Sequence, residues 1–326
     1  MPRTSLTSTA FRIAPAAMIV WITLIGVVPP SPAAAGRKSW LTENGTVTRQ
    51  FALPPVDGRR ALVIDNVIGS IEVRSAGGAG DRIELTLQET FSAIDAAELA
   101  RAKREVELEV RESPGKLELV QGGSWRCRGK HGKRVVEGSA EDGDWSGDGC
   151  CCDDHDDRDY EVRYDWTLTV PRDLDLTVRS VNDGAIRVEG VTGRLRVRHV
   201  NDDVTLANVA GRVDAKTVNG ELKVDFTAQP TGDSSFATVN GDIELGFPKG
   251  LGAQLTFATL NGDVYTDFPF ALAKMPPPPP TEVREHGRDR RHRHELGRKT
   301  AATLGRGGIA LDCDTINGDI TIRERG

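Results

Sequence analysis

The most regular part of the chain repeats every nine residues. Ile186, Leu195, Val204, Val213 and Leu222 form one series, and Val188, Val197, Leu206, Ala215 and Val224 a second. Val191, Val200, Val209 and Val218 form a third. The unit is apolar-x-apolar-x-x-Val followed by a turn with Gly or Asp, which predicts one short strand and one turn per unit. The register points all three series inward. A second period rides on the first: Asn occupies every other turn, at Asn182, Asn201, Asn219, Asn240 and Asn261, in steps of 19, 18, 21 and 21. Asn317 follows after a step of 56, so an insert lies between, roughly 271–306. Asn-Gly turns suit a hairpin meander. The double period favours a stack of two-strand coils, in which Asn sits on Asn at one strand spacing, about 4.8 Å.

The first half of the chain is also β, but irregular. Gly45–Leu53, Ala61–Ile64 and Gly69–Val73 read as strands, and Ile83, Leu85 and Leu87 alternate with polar residues. Ala93–Lys103 reads as one short helix, with Ser92 and Asp95 supplying an N-cap and an acidic first turn. Val106, Leu108 and Val110 alternate, as do Leu117 and Leu119. The strongest strand is Tyr160–Val170, stopped by Pro171. Residues 122–159, rich in Gly, Asp and Ser, read as a long loop. The expected fold is all-β: a right-handed β-helix (β-solenoid) of short Asn-Gly repeats over 176–326, preceded over 36–175 by an irregular β region with one helix.

The turns themselves carry a family resemblance. Thr217-Val-Asn-Gly-Glu-Leu222, Thr238-Val-Asn-Gly-Asp-Ile243, Thr259-Leu-Asn-Gly-Asp-Val264 and Thr315-Ile-Asn-Gly-Asp-Ile320 are near copies, and Ser180-Val-Asn-Asp-Gly-Ala-Ile186 is a looser one. They resemble DUF4097, a bacterial family of β-strand-repeat proteins named as candidate adhesins, and the related head domain of autotransporter adhesins. Leu62–Ile71 and Trp166–Val170 with Pro171 extend the likeness, which covers about 37–270 and 307–326. The resemblance implies a β-helix-like exported protein and brings no catalytic residues. The 122–159 loop and the 271–306 insert depart from it.

Residues 1–35 read as a signal peptide. Arg3 and Arg12 precede an apolar run from Ala16 to Val28, then Pro29, Pro30, Pro32 and the small residues Ala33–Ala35. Its removal leaves 40 Lys+Arg against 48 Asp+Glu, or −8, which excludes a strongly basic nucleic-acid binder. No other stretch reaches membrane length. The expected location is the periplasm or the cell surface, with the mature chain not spanning the membrane. Glycine is frequent (35 residues) and aromatics scarce (5%), in keeping with strands and turns.

Candidate chemistry is sparse. Export favours a disulfide from Cys127 to one of Cys150, Cys151 and Cys152 over a metal site, because adjacent cysteines cannot easily converge on one ion. Cys313 completes an odd set of five. The Asn-Gly-Asp turns offer oxygens suited to Ca²⁺, yet Asn and Gly equally serve positive φ and inter-coil amide bonds. They are read as a structural ladder, with no metal or cofactor assigned. His292 and His294 sit among arginines, which repel cations, behind five prolines at Pro276–Pro280. The insert therefore reads as an exposed, disordered excursion. No nucleophile, phosphate-loop or zinc-protease motif is present. The sequence thus points to a non-enzymatic exported interaction or scaffold protein with an envelope, glycan or protein partner. The alternative is a glycan-binding or glycan-cleaving β-helix.

Overall fold

The computed structural model describes residues 40–53, 59–77, 80–123, 159–273 and 299–325. The signal peptide, Cys127, Cys150, Cys151 and Cys152, and the proline and histidine part of the insert lie outside the described residues. In chain order the elements are β1 (Leu41–Ala52), β2 (Ala61–Asp65), β3 (Ile71–Ser75), β4 (Arg82–Ala93), α1 (Ala96–Glu105), β5 (Val106–Ser113), β6 (Lys116–Gly123) and β7 (Tyr160–Val170). The repeat strands follow as β8 (Asp175–Arg179), β9 (Ile186–Glu189), β10 (Leu195–Arg198), β11 (Val204–Val209), β12 (Val213–Lys216) and β13 (Leu222–Phe226). The chain ends with β14 (Ser234–Ala237), β15 (Ile243–Pro248), β16 (Ala253–Ala258), β17 (Val264–Thr266), β18 (Phe270–Ala273), β19 (Thr300–Leu304), β20 (Ile309–Asp314) and β21 (Ile320–Arg325).

From β7 to β18, successive strands alternate between two open sheets. One sheet runs β1-β4-β7-β3-β9-β11-β13-β15-β21-β17, the other β18-β19-β16-β20-β14-β12-β10-β8-β2-β6-β5. Each coil gives one strand to each sheet, and coils pair in parallel and in register, as with Leu195 beside Leu176 and Val213, and Val204 beside Ile186 and Leu222. Nine residues carry the chain across one strand and one corner, so two units make a coil. The space between the sheets holds the core: Ile186, Val188, Leu195, Val197, Val204, Leu206, Val213, Leu222 and Val224 are fully buried. Phe226 stacks on Phe247 at 4.8 Å and meets Phe236 edge-on.

The stack differs from the sequence expectation in four respects. First, it begins before residue 176. β2 and β3 already form a coil in register with β8 and β9, and β6 and β7 flank that coil on its other side. Second, the last coil in sequence is not last in space. β20 and β21 pair on both sides, with β14 and β15 and with β16 and β17, so they lie between the Asn240 and Asn261 coils. Third, both ends of the insert are strands. β18 and β19 pair antiparallel and cover the edge of β16, which leaves 274–298 as the part outside the described residues. Fourth, the helix starts later. Asp95 caps it by accepting the Glu98 amide at 2.8 Å, whereas Ser92 and Ala93 belong to β4, where they pair with Thr42 and Leu41 of β1.

Candidate binding face along the Asn-Gly turns

The corner that joins the second sheet to the first is the most elaborated edge of the molecule. At its outer rim the Asn amides bond coil to coil. Asn201 Nδ2 donates to Asn182 Oδ1, Asn219 to Asn201 and Asn240 to Asn219, each at 2.8 Å. Asn317 then donates to Asn240 at 2.6 Å, and Asn261 to Asn317 at 2.7 Å. The ladder follows spatial order, 182-201-219-240-317-261, not chain order. Ile68 occupies the equivalent place in the β2–β3 coil, bridging Asn182.

One residue further on, the corner demands glycine. Gly220 has φ +155°, and a Cβ there would lie 2.1 Å from the carbonyl oxygen of Asp202 in the coil below. Asp202 holds the same place in its own coil at φ +119°, a conformation that side-chain-bearing residues seldom adopt. Next come the acids. Asp203 accepts the Glu221 amide at 2.7 Å, Asp242 the Asp319 amide at 2.8 Å, and Asp319 the Asp263 amide at 2.8 Å. These carboxylates are half-exposed to exposed, yet each spends an oxygen on its neighbouring coil. The oxygens that suggested Ca²⁺ are therefore part of the inter-coil bonding. Among the described residues, no group of three or more His, Cys, Asp and Glu could hold a metal ion.

The inward side of the corner corrects the register. Val200 and Val218, expected to face the core, are half-buried, and their predecessors His199 and Thr217 point in instead, 3% and 4% exposed. The nine-residue series breaks there because the two corners of a coil are different turns. Val191 and Val209 sit at the other corner and are fully buried. The inward slot is polar and its occupants bond down the stack. Thr217 Oγ1 donates to Asp202 O at 3.3 Å, Thr238 to Gly220 O at 3.1 Å, Thr315 to Gly241 O at 3.2 Å and Thr259 to Gly318 O at 3.1 Å. Two occupants differ: one is Ser180, whose Oγ is buried without a hydrogen-bond partner, and the other is His199. Its Nδ1 lies 3.2 Å from Ser180 O, while Nε2 has no hydrogen-bond partner. Burial lowers its pKa below the ordinary histidine value, although the Ser180 carbonyl and the Asp202 and Asp203 carboxylates pull the other way.

The β2–β3 coil is held differently. Gln121, fully buried on β6, accepts the amides of Val67 and Ile68 and donates to Val162 O, while Asn66 donates to Gly69 O and Tyr164 O. Sequence periodicity gave no sign of either residue, because each acts once.

On the outer face of the second sheet, Arg198 bonds the Asp214 carboxylate at 2.5 Å, and Lys299 bridges Asp312 and Asp314, each at 2.9 Å. Burial raises the Asp314 pKa, and Lys299 opposes that rise. Cys313, between those acids, points inward, is fully buried and is free of any disulfide, and burial pushes its thiol pKa up. The second sheet and its ends also carry grooves among the described residues. One of about 640 Å³ is lined by Gln229, Phe268, Arg306 and Glu324, and one of about 370 Å³ by Leu53, Glu112 and Lys116. Each contains one acid and one base.

Residues 169–275 match the family model described as Toastrack DUF4097, which bears out the resemblance read from the turns. The match is shorter than the span of that resemblance, although the structure carries the same stack on to both sides of it. No curated protein matches. Among solved structures, a candidate cell adhesion protein from Clostridium sporogenes aligns with 85% of this chain and 99% of its own at 12% identity and a TM-score of 0.36. A candidate adhesin from Bacteroides fragilis aligns with 86% of this chain and 97% of its own at 10% identity and a TM-score of 0.34.

Proposed function

We propose that this protein is an exported, adhesin-like binding scaffold of the bacterial envelope, acting in the periplasm or at the cell surface without catalysis. The observation that carries this reading is the uniformity of the Asn-Gly edge. The same amide and carboxylate groups recur coil after coil on a backbone that is hydrogen-bonded on both sides. Such an edge offers a long, rigid, repeating surface, which suits recognition of an extended or repetitive partner. Its coil is right-handed in this reading, the sense that parallel crossover connections almost always take. Among the described residues no helix is long and apolar enough to cross a membrane.

A glycan-binding or glycan-cleaving role is the second reading. It is favoured by the grooves that are lined by both Glu324 and Arg306, and by both Glu112 and Lys116. A glycan array combined with a reducing-sugar assay separates the two. Binding to envelope glycans or proteins without sugar release is the expected result, and robust turnover overturns the scaffold reading. Fractionation of cells expressing the chain with and without residues 1–35 tests export: the full chain is expected in the envelope or medium and the truncated chain in the cytoplasm.

A further inference from the structure

The two ends of the coil stack are finished differently. At the β1 end the antiparallel strands β1, β4 and β7 continue the first sheet, and α1 lays Leu99 and Ala102 against them. At the other end, among the described residues, the stack stops at β17 in one sheet and β18 in the other, each paired on one side only. The core runs out there. Ile320 and Ile322 are fully buried, but their register partners Val264 and Thr266 on β17 are half-buried. Leu304 and Ala302 are buried, but their partners Phe270 and Leu272 on β18 are 55% and 69% exposed. Leu260 and Tyr265, on the same final coil, are 64% and 53% exposed. Four of the six large apolar side chains that stand exposed among the described residues therefore gather at this one end. The hydrogen-bonding ladder stops there too: Asn261 donates to Asn317, and among the described residues no further Asn donates to its own Oδ1.

Charge selects among possible occupants. Residues 250–273 contain Asp263 and Asp267 and no Lys or Arg, and Asp319 lies immediately behind, close enough with Asp263 to raise the Tyr265 pKa. A second copy pairing by a two-fold axis through Tyr265 would set Asp263 against the other copy's Asp267, a like-charge contact that disfavours the pair. A basic strand has the opposite effect.

We propose that this open end is a strand-addition site: an extended segment of a partner protein, with alternating apolar residues flanked by Lys or Arg, pairs with the free edge of β17. Its apolar side chains continue the core over Val264, Phe270 and Leu272, while its cationic flanks face Asp263, Asp267 and Asp319. Strand addition derives affinity from main-chain bonds and specificity from alternate side chains. The inference rests on the binding-scaffold reading and names one class of partner for it.

The test uses the full exported chain with three synthetic peptides that share an alternating Val-Thr core. One has Lys flanks, one has Glu flanks, and one has Lys flanks with alternate backbone amides N-methylated. Fluorescence anisotropy is expected to show the Lys peptide binding about 10-fold or more tighter than the Glu peptide, with the methylated peptide not binding. Hydrogen exchange is expected to slow at 264–266 when the Lys peptide is bound. The variant Phe270→Ser/Leu272→Ser, exposed enough to keep its melting temperature, is expected to weaken binding by about 10-fold or more. Equal binding of the methylated peptide, or protection elsewhere, overturns the proposal. So does slow exchange at 264–266 in the protein alone, which would mean that the chain itself or a second copy already closes the end; sedimentation at two concentrations tells these apart. If envelope glycans or proteins bind while the Lys peptide does not, strand addition fails and the scaffold reading stands. If neither binds, both fail.

Discussion

Two residues set the His199 coil apart from the coils that follow it, and both break the pattern Thr-Val-Asn-Gly-Asp in the same turn. Asp202 stands where Gly220 and its counterparts stand, at φ +119°. Strain of that kind costs on the order of 1–3 kcal/mol, partly offset by the entropy that a glycine loses on folding. Asp202→Gly is therefore expected to raise stability by about 1 kcal/mol, read as an upward shift in the denaturant midpoint at unchanged slope. A loss of stability would mean that the Asp202 carboxylate, which accepts the Asp203 amide, outweighs the strain. His199 replaces the inward threonine. Its folded pKa lies below its unfolded value, so the neutral ring is the form that folding favours. Stability is thus complete above the unfolded pKa of about 6.5 and falls as pH drops from there towards the folded value. His199→Thr restores a hydroxyl of the kind that Thr217 uses. Thermal melts between pH 7.5 and 5, values chosen to bracket that pKa of about 6.5, are expected to fall more steeply for the native protein than for the variant. Parallel curves would show that histidine protonation does not govern this range.

At the level of elements, the strands were legible and the corners were not. Alternation located β7 to its exact ends and placed Leu195, Val204, Leu206 and Val213 in the core, because burial on one face leaves a period of two. Val200 and Val218 were misassigned because a nine-residue spacing treats the two corners of a coil as equivalent. One corner buries Val191 and Val209; the other turns its Val outward and buries His199 or Thr217. Conserving spacing is therefore weaker evidence of facing than alternation within a strand. The sequence puts the helix cap at Ser92 with Asp95 in the first turn, whereas the cap is Asp95, because Ser92 is still bonded to Thr42 across β4 and β1. The strand register has a direct test. Leu206 is fully buried, while Arg196 stands on the outer face beside Asp214. Leu206→Asp is expected to cost about 4 kcal/mol or more, as an unpaired charge in an apolar interior does. Arg196→Asp is expected to cost about 1 kcal/mol, the scale of a like-charge pair across strands. Equal losses in urea denaturation would refute the assignment of faces.

For the molecule as a whole, chain order and stacking order diverge at both ends, and no local pattern records that. β2 and β3 come early in sequence yet sit between the β6–β7 layer and β8–β9, and β20 and β21 come last yet sit inside the Asn261 coil. The motif around Asn317 is interchangeable with that around Asn261, so sequence alone assigns neither a place. Position is settled by contacts between distant segments: β17 pairs with β21 alone, and β16 lies between β20 and β19. The consequence is that residues 253–266 depend on the C-terminal coil, although they precede it in synthesis. Truncation after Arg306 removes the layer on which β16 and β17 rest and interrupts the Asn ladder between Asn240 and Asn261. Hydrogen exchange on the truncated chain is expected to show lost protection throughout 253–266, with protection retained over 186–226, where every pairing partner is still present. The newly exposed β14 and β15 edges should also promote association at raised concentration. Retained protection at 253–266 would mean that the Asn261 coil has closed directly onto the Asn240 coil, and that the intercalated order is not what holds it.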